Sequence, residues 1–192
     1  SFLMIAMMFI MVPRAAVSAN RVAEVLNTQP SILDPEKEAR IKISDGTVEF
    51  QNVSFRYQNA ESDVLSDLSF IAKAGETTAF IGSTGSGKST LLNLIPRFYD
   101  VTAGSVTIGG VDVRQLPQKQ LRSLIGYVPQ KSVLFSGDIA SNIRYGKEDA
   151  SDEEIWNAIQ TAQAKAFVQS ADGQLSAPIA QGGGNVSGGQ KQ

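Results

Sequence analysis

The fold of this chain is decided by the stretch Gly82-Ser83-Thr84-Gly85-Ser86-Gly87-Lys88-Ser89. It matches the pattern G-x-x-x-x-G-K-[ST] of phosphate-binding loops. Its glycines let the backbone curl so that successive N–H groups point into one anion-binding nest. Lys88 adds a mobile positive charge for the β and γ phosphates, and the Ser89 hydroxyl is placed to bind Mg²⁺.

The segments on either side of this loop support the match. The β-prone apolar run Thr77–Ile81 precedes it and predicts a strand, while residues 89–95 predict a helix that begins near Lys88. The positive N-terminal end of that helix would point at the bound anion. The order strand, loop, helix is the one the motif requires. It therefore favours a phosphate loop over a plain glycine turn.

Composition restricts the chemistry that the chain can perform. Its 192 residues are 42% hydrophobic and 19% charged, which is ordinary for a globular protein. The chain has no cysteine and no histidine, so disulfides, thiol catalysis and the commonest general base are excluded within it. Acid–base roles would fall to Asp, Glu, Lys or Tyr, or to residues outside this sequence. The net charge of −2 gives no reason to expect a nucleic-acid partner.

The N-terminal run Ser1–Val12 is apolar and uncharged. Alone it is too short to cross a bilayer, which takes about 20 residues, and it lacks the basic start of a secretory signal. We interpret it as the last turns of a membrane helix whose beginning lies outside the sequence; the alternative is a buried helix of a soluble core. Pro13 is expected to interrupt this helix or to mark its membrane exit. Arg14 and Arg21 place that end in the cytoplasm.

The pattern divides the chain into three parts. Residues 1–26 are predicted to be the end of the membrane helix and its cytoplasmic extension, residues 27–46 a polar linker, and residues 47–192 a folded domain. Within that domain, strands are expected at 48–55 with one offset that a bulge absorbs, around Leu68 and Phe70, at 104–110 and at 125–128. Ser151–Glu154 reads as a capping box that opens a helix with Ile155, Ile159 and Ala162 on one face.

Three further motifs carry a family resemblance: Phe55-Arg56-Tyr57, Val128-Pro129-Gln130 and Val186-Ser187-Gly188-Gly189-Gln190. Together with the phosphate loop, they make nearly the whole chain resemble the nucleotide-binding domain of ATP-binding cassette (ABC) transporters of the bacterial exporter type. The resemblance implies an incomplete α/β P-loop NTPase cassette, with an antiparallel β subdomain and a helical subdomain, that follows the end of a transmembrane helix.

The resemblance also implies functional residues. Tyr57 would stack on the adenine of ATP, Lys88 and Gln130 would serve catalysis, and Ser89 and Gln130 would bind Mg²⁺. Ser187–Gln190 would face the phosphate loop of a second domain, so that two nucleotides are sandwiched in a head-to-tail dimer. The nucleotide contacts would be Tyr57, Gly82, Ser83, Thr84, Gly85, Ser86, Gly87, Lys88, Ser89, Thr90, Ser187, Gly188, Gly189 and Gln190.

Each of these motifs also has an ordinary structural interpretation. Tyr57 could cap a strand edge, and Gln130 could be a loop amide after Pro129. Ser187–Gly189 could be a plain turn into a helix. The chemistry nevertheless fits, because an aromatic face suits adenine, an amide oxygen suits Mg²⁺, and a serine with two glycines at a helix start suits an anion.

Two segments resemble the exporter branch of the family, and at two places the residues differ from the family's usual pattern. Leu134–Ile143 and Asn93–Asp100 resemble exporter segments, and the first of them is one that contacts the membrane domain. Ala180-Gln181 replaces the usual Gly-Glu, and Val186 replaces the usual Leu. The Glu and His that the family uses for hydrolysis fall beyond Gln192, so these 192 residues alone are not expected to turn over ATP.

The predicted function is therefore the ATP-binding part of an exporter that couples ATP binding and hydrolysis to export. Its expected partners are a second nucleotide-binding domain, the transmembrane domain of the same chain and the membrane. The implied location is the cell (plasma or inner) membrane with a cytoplasmic nucleotide-binding domain. Two alternatives remain: a non-hydrolysing subunit of a heterodimeric transporter and a soluble ABC-type ATPase.

Overall fold

The computed structural model describes residues 2–36 and 43–192 of the chain. Residues 37–42 of the predicted linker, and Ser1 of the apolar run, lie outside the described residues. The chain divides into two compact units, the first ending at Ile125 and the second spanning Gly126–Gln192.

Helix α1 spans Phe2–Asn27 and contains Pro13. The expected interruption at Pro13 is wrong, since the helix continues through it to Asn27, about four more turns; a membrane exit at Pro13 stays a prediction. At 1.5 Å per residue the helix is about 39 Å long. Its stretch Met4–Asn27 is long and apolar enough to cross a membrane by length and composition, and it is exposed rather than packed in a core.

An antiparallel sheet organises the first unit. Its strands are β1 (Val48–Phe55), β2 (Leu65–Ala72), β3 (Ala103–Ile108) and β4 (Val111–Asp112), in the order β2-β1-β3-β4. The predicted offset in β1 is confirmed, because its pairing with β2 shifts register between Phe50 and Val53. This shift lets Phe50, Val53 and Phe55 all face the core, where each is at most 3% exposed.

Helices pack on this sheet to complete the first core. Helix α2 (Lys88–Leu94) contributes Leu91 and Leu94. A 3-10 turn at Val113–Gln115 and helix α3 (Gln118–Ser123) contribute Val113 and Leu121. The predicted helix start near Lys88 is confirmed.

Part of the predicted linker is tied to this unit. The Asp34 carboxylate accepts a hydrogen bond of 2.9 Å from the backbone N–H of Gln118, the first residue of α3. This bond lowers the pKa of Asp34 below its ordinary value. Asp34 therefore caps a helix that begins 84 residues later in the chain.

The second unit is mostly helical. It contains β5 (Gly137–Asp138), α4 (Ile139–Arg144), α5 (Asp152–Thr161), α6 (Lys165–Ser170), β6 (Pro178–Ile179) and α7 (Gly188–Lys191), with 3-10 turns at Gln174–Ser176 and Gln181–Gly183. The Ser151–Glu154 capping box at α5 is confirmed. Ile155 and Ile159 are 1% and 2% exposed and form the core of this unit, whereas Ala162 caps the helix and is exposed.

Two predicted strands are absent. Residues 77–81 and 125–128 adopt no strand, and Ile81 and Val128 are 96% and 69% exposed. Phe80 still reaches the first core, where its ring lies 5.0 Å from that of Phe70. An apolar β-prone run becomes a strand only with a neighbour to hydrogen-bond, and no segment of residues 2–36 or 43–192 pairs with either run.

Candidate functional site

The glycine-rich loop curls between residue 81 and the start of α2. Gly85 and Gly87 have φ angles of +86° and +85°, in the left-handed region that favours glycine. A Cβ at Gly87 would also lie 2.8 Å from Leu65 Cδ2, at the start of β2, whereas a Cβ at Gly85 would meet nothing within 4 Å. Glycine is therefore favoured at position 87 by both its positive φ angle and the close approach of Leu65. At position 85 it is favoured by the φ angle alone.

The Lys88 ammonium lies against this loop. Its Nζ donates hydrogen bonds of 2.8 Å to the Gly82 carbonyl, 2.7 Å to the Ser83 carbonyl and 3.1 Å to Ser86 Oγ. All three of its donors are thus directed at the loop. The arrangement concentrates positive charge where the sequence assigns phosphate binding. Ser83, Thr84 and Ser86 are exposed around it.

Tyr57 follows β1 and is joined to α2. Its hydroxyl and that of Thr90 are 2.9 Å apart and share a hydrogen bond. Thr90 is only 6% exposed and lies two residues after Lys88. The structure therefore brings the predicted adenine-binding residue into contact with the helix that starts at the phosphate loop.

Aromatic rings surround Tyr57. The Phe55 ring meets it edge-on at a centroid distance of 4.9 Å, and the Tyr99 ring does so at 5.2 Å with an interplanar angle of 89°. Tyr99 also contacts Phe55 at 5.5 Å. The neighbouring Arg97 is 5% exposed and forms an ion pair with Asp100 at 2.6 Å.

The other predicted site residues belong to the second unit. Gln130 is exposed in an irregular segment. Ser187 is the N-cap of α7: its hydroxyl accepts a hydrogen bond of 3.4 Å from the Gln190 backbone, and its own N–H donates to Gln190 Oε1 at 2.8 Å. Gly188 and Gly189, in the first turn of α7, are exposed. These residues therefore form a capping box that starts the helix.

Side-chain hydrogen bonds shape the loop before α7. The Asn185 amide accepts from the Ala180 N–H at 2.9 Å and donates to the Pro178 carbonyl at 2.7 Å. Lys191 donates to the Gly182 carbonyl at 3.0 Å. Gln181, which stands where a Glu was expected, is exposed in this loop.

The segment Leu134–Ile143 has its own capping box. Asp138 accepts a hydrogen bond of 2.7 Å from the Ser141 N–H, and this bond lowers the pKa of Asp138. The Asn142 amide donates to the Phe135 carbonyl at 3.0 Å and accepts from the Phe135 N–H at 2.8 Å. Phe135 is 54% exposed, and its ring lies 4.9 Å from that of Tyr145.

The side chains that could bind a metal ion are few in the described part of the chain. Within residues 2–36 and 43–192, no group of three or more Asp, Glu, His or Cys side chains could hold a metal ion. Ser89 and Gln130 are both exposed and offer a hydroxyl and an amide oxygen. Mg²⁺ accepts such oxygens and usually keeps several waters and substrate phosphates as ligands, so the oxygen of each residue, one in each unit, is of a kind that suits this ion.

Three contacts of the first unit are not predicted by the sequence. The Tyr57–Thr90 hydrogen bond joins residues 33 apart, and the rings of Tyr57 and Tyr99 meet at 5.2 Å. The third contact joins Asp34, in the polar linker, to Gln118. A signal existed for Asp34, because an acidic residue suits a helix N-terminus, but nothing local indicated which helix.

The glycine-rich loop is followed by a helix, and that helix is hydrogen-bonded to Tyr57 in a cluster of aromatic rings. These features define a nucleotide-binding protein of the P-loop class. Residues 65–192 match the model of the ABC transporter family. The chain belongs to the ABC transporter family and carries its ATP-binding domain.

Known proteins and a solved structure agree with this assignment. The chain is 46% identical to an uncharacterized ABC transporter ATP-binding protein of Mycobacterium tuberculosis, over 99% of its own length and 33% of that protein. It is 44% identical to a multidrug efflux ATP-binding/permease protein of the same species, over 93% of its length and 15% of that protein. A bacterial Atm1-family ABC exporter with ATP bound matches 96% of the chain and 32% of that structure, with a TM-score of 0.89 and 31% identity. The chain thus spans a third or less of these proteins.

Proposed function

We propose that this sequence is the ATP-binding part of an exporter, in which ATP binding and hydrolysis drive movement of a substrate across the membrane. The observation that carries the proposal is the phosphate loop with the Lys88 ammonium bonded inside it at 2.7–3.1 Å, joined through Thr90 to Tyr57. The efflux and exporter relatives support transport in the outward direction and do not favour a soluble ATPase.

Each candidate residue receives a role in this proposal. Tyr57 stacks on adenine, because an aromatic face binds a base without a fixed hydrogen-bond pattern. The loop N–H groups and Lys88 bind the phosphates. Ser89 and Gln130 hold Mg²⁺, which neutralises phosphate charge when bound. Ser187–Gln190 act on a nucleotide held by a second nucleotide-binding domain.

We also propose the division of the chain into a membrane-helix end and its extension (1–26), a linker (27–46) and a nucleotide-binding domain (47–192). The exposed apolar length of α1 supports the first part. The domain would lie in the cytoplasm, on the side of Arg14 and Arg21. The membrane domain of the same protein and a second cassette would be its partners.

The nucleotide assignment is tested by separating base from phosphate binding in the full-length protein that carries these residues. Lys88→Ala should weaken ATP binding about 10- to 100-fold, as expected for lost charge-assisted bonds, and should weaken adenosine binding much less. Tyr57→Ala should weaken both ligands, by about 5- to 100-fold for a lost stacking contact. Isothermal titration calorimetry measures each affinity.

The matched control is Lys73→Ala, which removes the charge of an exposed lysine of the first unit and should change neither affinity. Equal losses of ATP and adenosine binding in Lys88→Ala would contradict the phosphate assignment. Unchanged affinities in Tyr57→Ala would contradict the adenine assignment.

A further inference from the structure

The segment that follows α1 is fastened to α3 by the side chain of Asp34. Its carboxylate accepts the backbone N–H of Gln118 at 2.9 Å, and this N–H belongs to the first turn of α3, where the helix itself offers no acceptor. Ile32 and Pro35 are half-buried although Asp34 between them is exposed. The segment therefore lies against the protein on both sides of this hydrogen bond.

This attachment shortens the connection between α1 and the sheet of the first unit. Residues 28–33 separate the end of α1 from Asp34, and they can reach at most about 25 Å when fully extended. The next described hydrogen bond from this segment to the sheet joins the Ser44 hydroxyl to the Gly109 carbonyl at 3.0 Å. With that bond alone, the connection could reach about 55–60 Å. The Asp34 bond thus limits how far α1 can move without displacing α3.

Helix α3 extends the contact toward the phosphate loop. Arg122, in the last turn of α3, donates hydrogen bonds of 3.3 Å to the carbonyls of Pro96 and Arg97. The backbone N–H of Arg97 in turn donates at 3.1 Å to the carbonyl of Leu94, the last residue of α2. Hydrogen bonds therefore connect Asp34, through α3, to the helix that begins at the phosphate loop.

Complementary charge strengthens this attachment. The Gln118 hydrogen bond lowers the pKa of Asp34, and the charges of Arg97 and Arg122 lower it further, so the carboxylate is ionised at neutral pH. Arg97 is 5% exposed, and its guanidinium donates to both Asp100 carboxylate oxygens, at 2.6 Å and 3.0 Å. Asp34 is therefore attracted to a guanidinium that is held in place beside the end of α2.

We propose that Asp34 is a positioning residue that transmits movement between α1 and the phosphate-loop helix, with α3 and Arg122 as the connection. The inference rests on the proposed function, in which ATP binding moves the membrane helices. A contact couples two sites only if its loss changes the response of one to the other. Loss of the Asp34 carboxylate should therefore uncouple α1 from the nucleotide without weakening nucleotide binding.

The test uses the full-length protein in a cysteine-free background, with two separate labels. The EPR line shape of a nitroxide at Leu33→Cys measures how firmly the segment is held. The rate at which a maleimide labels Ala19→Cys, with and without ATP, measures movement of α1.

Asp34→Ala should increase the mobility of the nitroxide. It should reduce the ATP-dependent change in labelling rate about 2- to 10-fold, the range for loss of one hydrogen bond. The ATP affinity from calorimetry should stay within about twofold. Asp34→Asn keeps an acceptor oxygen and should preserve most of the ATP-dependent change.

Gln118→Pro removes the same hydrogen bond from the donor side. Proline is accepted at the first position of a helix, and Pro117 has φ −56° and ψ 136°, the extended conformation that a following proline requires. Gln118→Pro should reproduce Asp34→Ala, and the double variant should lose no more than either single one. Gln118→Ala keeps the N–H and is its matched control. Asp45→Ala is the control for charge, since its carboxylate accepts the Thr47 N–H at 2.8 Å in the same segment.

Arg122→Lys tests the connection from α3 to α2. Lysine keeps the positive charge but lacks the planar fork that reaches two carbonyls. This variant should leave the nitroxide at Leu33 as it is in the wild type, and it should reduce the ATP-dependent change at Ala19→Cys. Unchanged values of both would remove α3 as the connection.

Two results would overturn the role of Asp34. One is unchanged nitroxide mobility in Asp34→Ala, which would show that this bond does not hold the segment. The other is increased mobility with a full ATP-dependent change at Ala19→Cys, which would show that the attachment transmits no movement. Failure of the proposed function is distinguishable, because it would appear in the wild type as a labelling rate that does not respond to ATP.

Discussion

Gly85 and Gly87 make the structure of the phosphate loop testable, because the same substitution meets different surroundings at the two positions. Both residues have φ near +85°, so an alanine at either costs about 1–2 kcal/mol of backbone strain. Only at Gly87 would the new Cβ meet neighbours, at 2.8 Å from Leu65 Cδ2 and 3.3 Å from the Val64 carbonyl. Overpacking of this kind adds about 1–3 kcal/mol. Gly87→Ala should therefore destabilise the domain by about 2 kcal/mol more than Gly85→Ala.

The assay is thermal unfolding of the domain in the detergent-solubilised, full-length protein, followed by differential scanning calorimetry. A difference of about 2 kcal/mol corresponds to a gap of about 4–8 °C in Tm for a domain of this size. Gly85→Ala is the matched control, since it carries the backbone strain without the steric contact. Equal losses of Tm in the two variants would refute the argument that Gly87 packs against the start of β2.

Three further outcomes follow from the same structure. The Asp112 carboxylate accepts hydrogen bonds from the backbone N–H of Arg114 at 2.8 Å and from its guanidinium at 2.6 Å. Burial alone would raise the Asp112 pKa, but these bonds and the Arg114 charge outweigh it and lower the pKa. The free energy of unfolding that this pair contributes should be fully present above the ordinary pKa of 3.8. It should decrease as the pH falls from 3.8 toward the lowered pKa of the folded protein. The Tm of Asp112→Asn should therefore approach that of the wild type in acid. Ser187→Ala should destabilise α7 by about 1 kcal/mol, measured as faster hydrogen exchange there, while Ser176→Ala should not. In a cysteine-free background, Ile5→Cys should resist a water-soluble maleimide and Ala19→Cys should react from the cytoplasmic side; labelling of both would contradict membrane insertion of α1.

The features that were predicted correctly depend on short-range signals. The start of α2 follows from glycines that end a loop and from the residues after them, all within one stretch. The bulge in β1 follows from the spacing of Phe50, Val53 and Phe55, which breaks a period of two. The capping box at Ser151 is a four-residue pattern, and its two hydrogen bonds are local.

The features that were missed depend on residues far apart in the chain. Residues 77–81 have the composition of a strand, but strand formation requires a partner that composition does not specify. The contact between Tyr57 and Thr90 spans 33 residues, and that between Asp34 and Gln118 spans 84. Such contacts exist only once the sheet of the first unit has brought these segments together, and no local pattern encodes them.

Residues Ser187–Gln190 are open to both a structural and a functional interpretation, and the two are compatible. Ser187 and Gln190 satisfy each other's backbone N–H groups, which fully explains a serine followed three residues later by a glutamine at a helix start. Yet a capping box requires neither Gly188 nor Gly189, and glycine has a lower intrinsic helix propensity than alanine. In our proposal, the absence of a side chain at these two exposed glycines lets another molecule approach this backbone closely. In our proposal that molecule is a nucleotide held by a second domain, so alanine at Gly188 or Gly189 should strengthen the helix while weakening that contact.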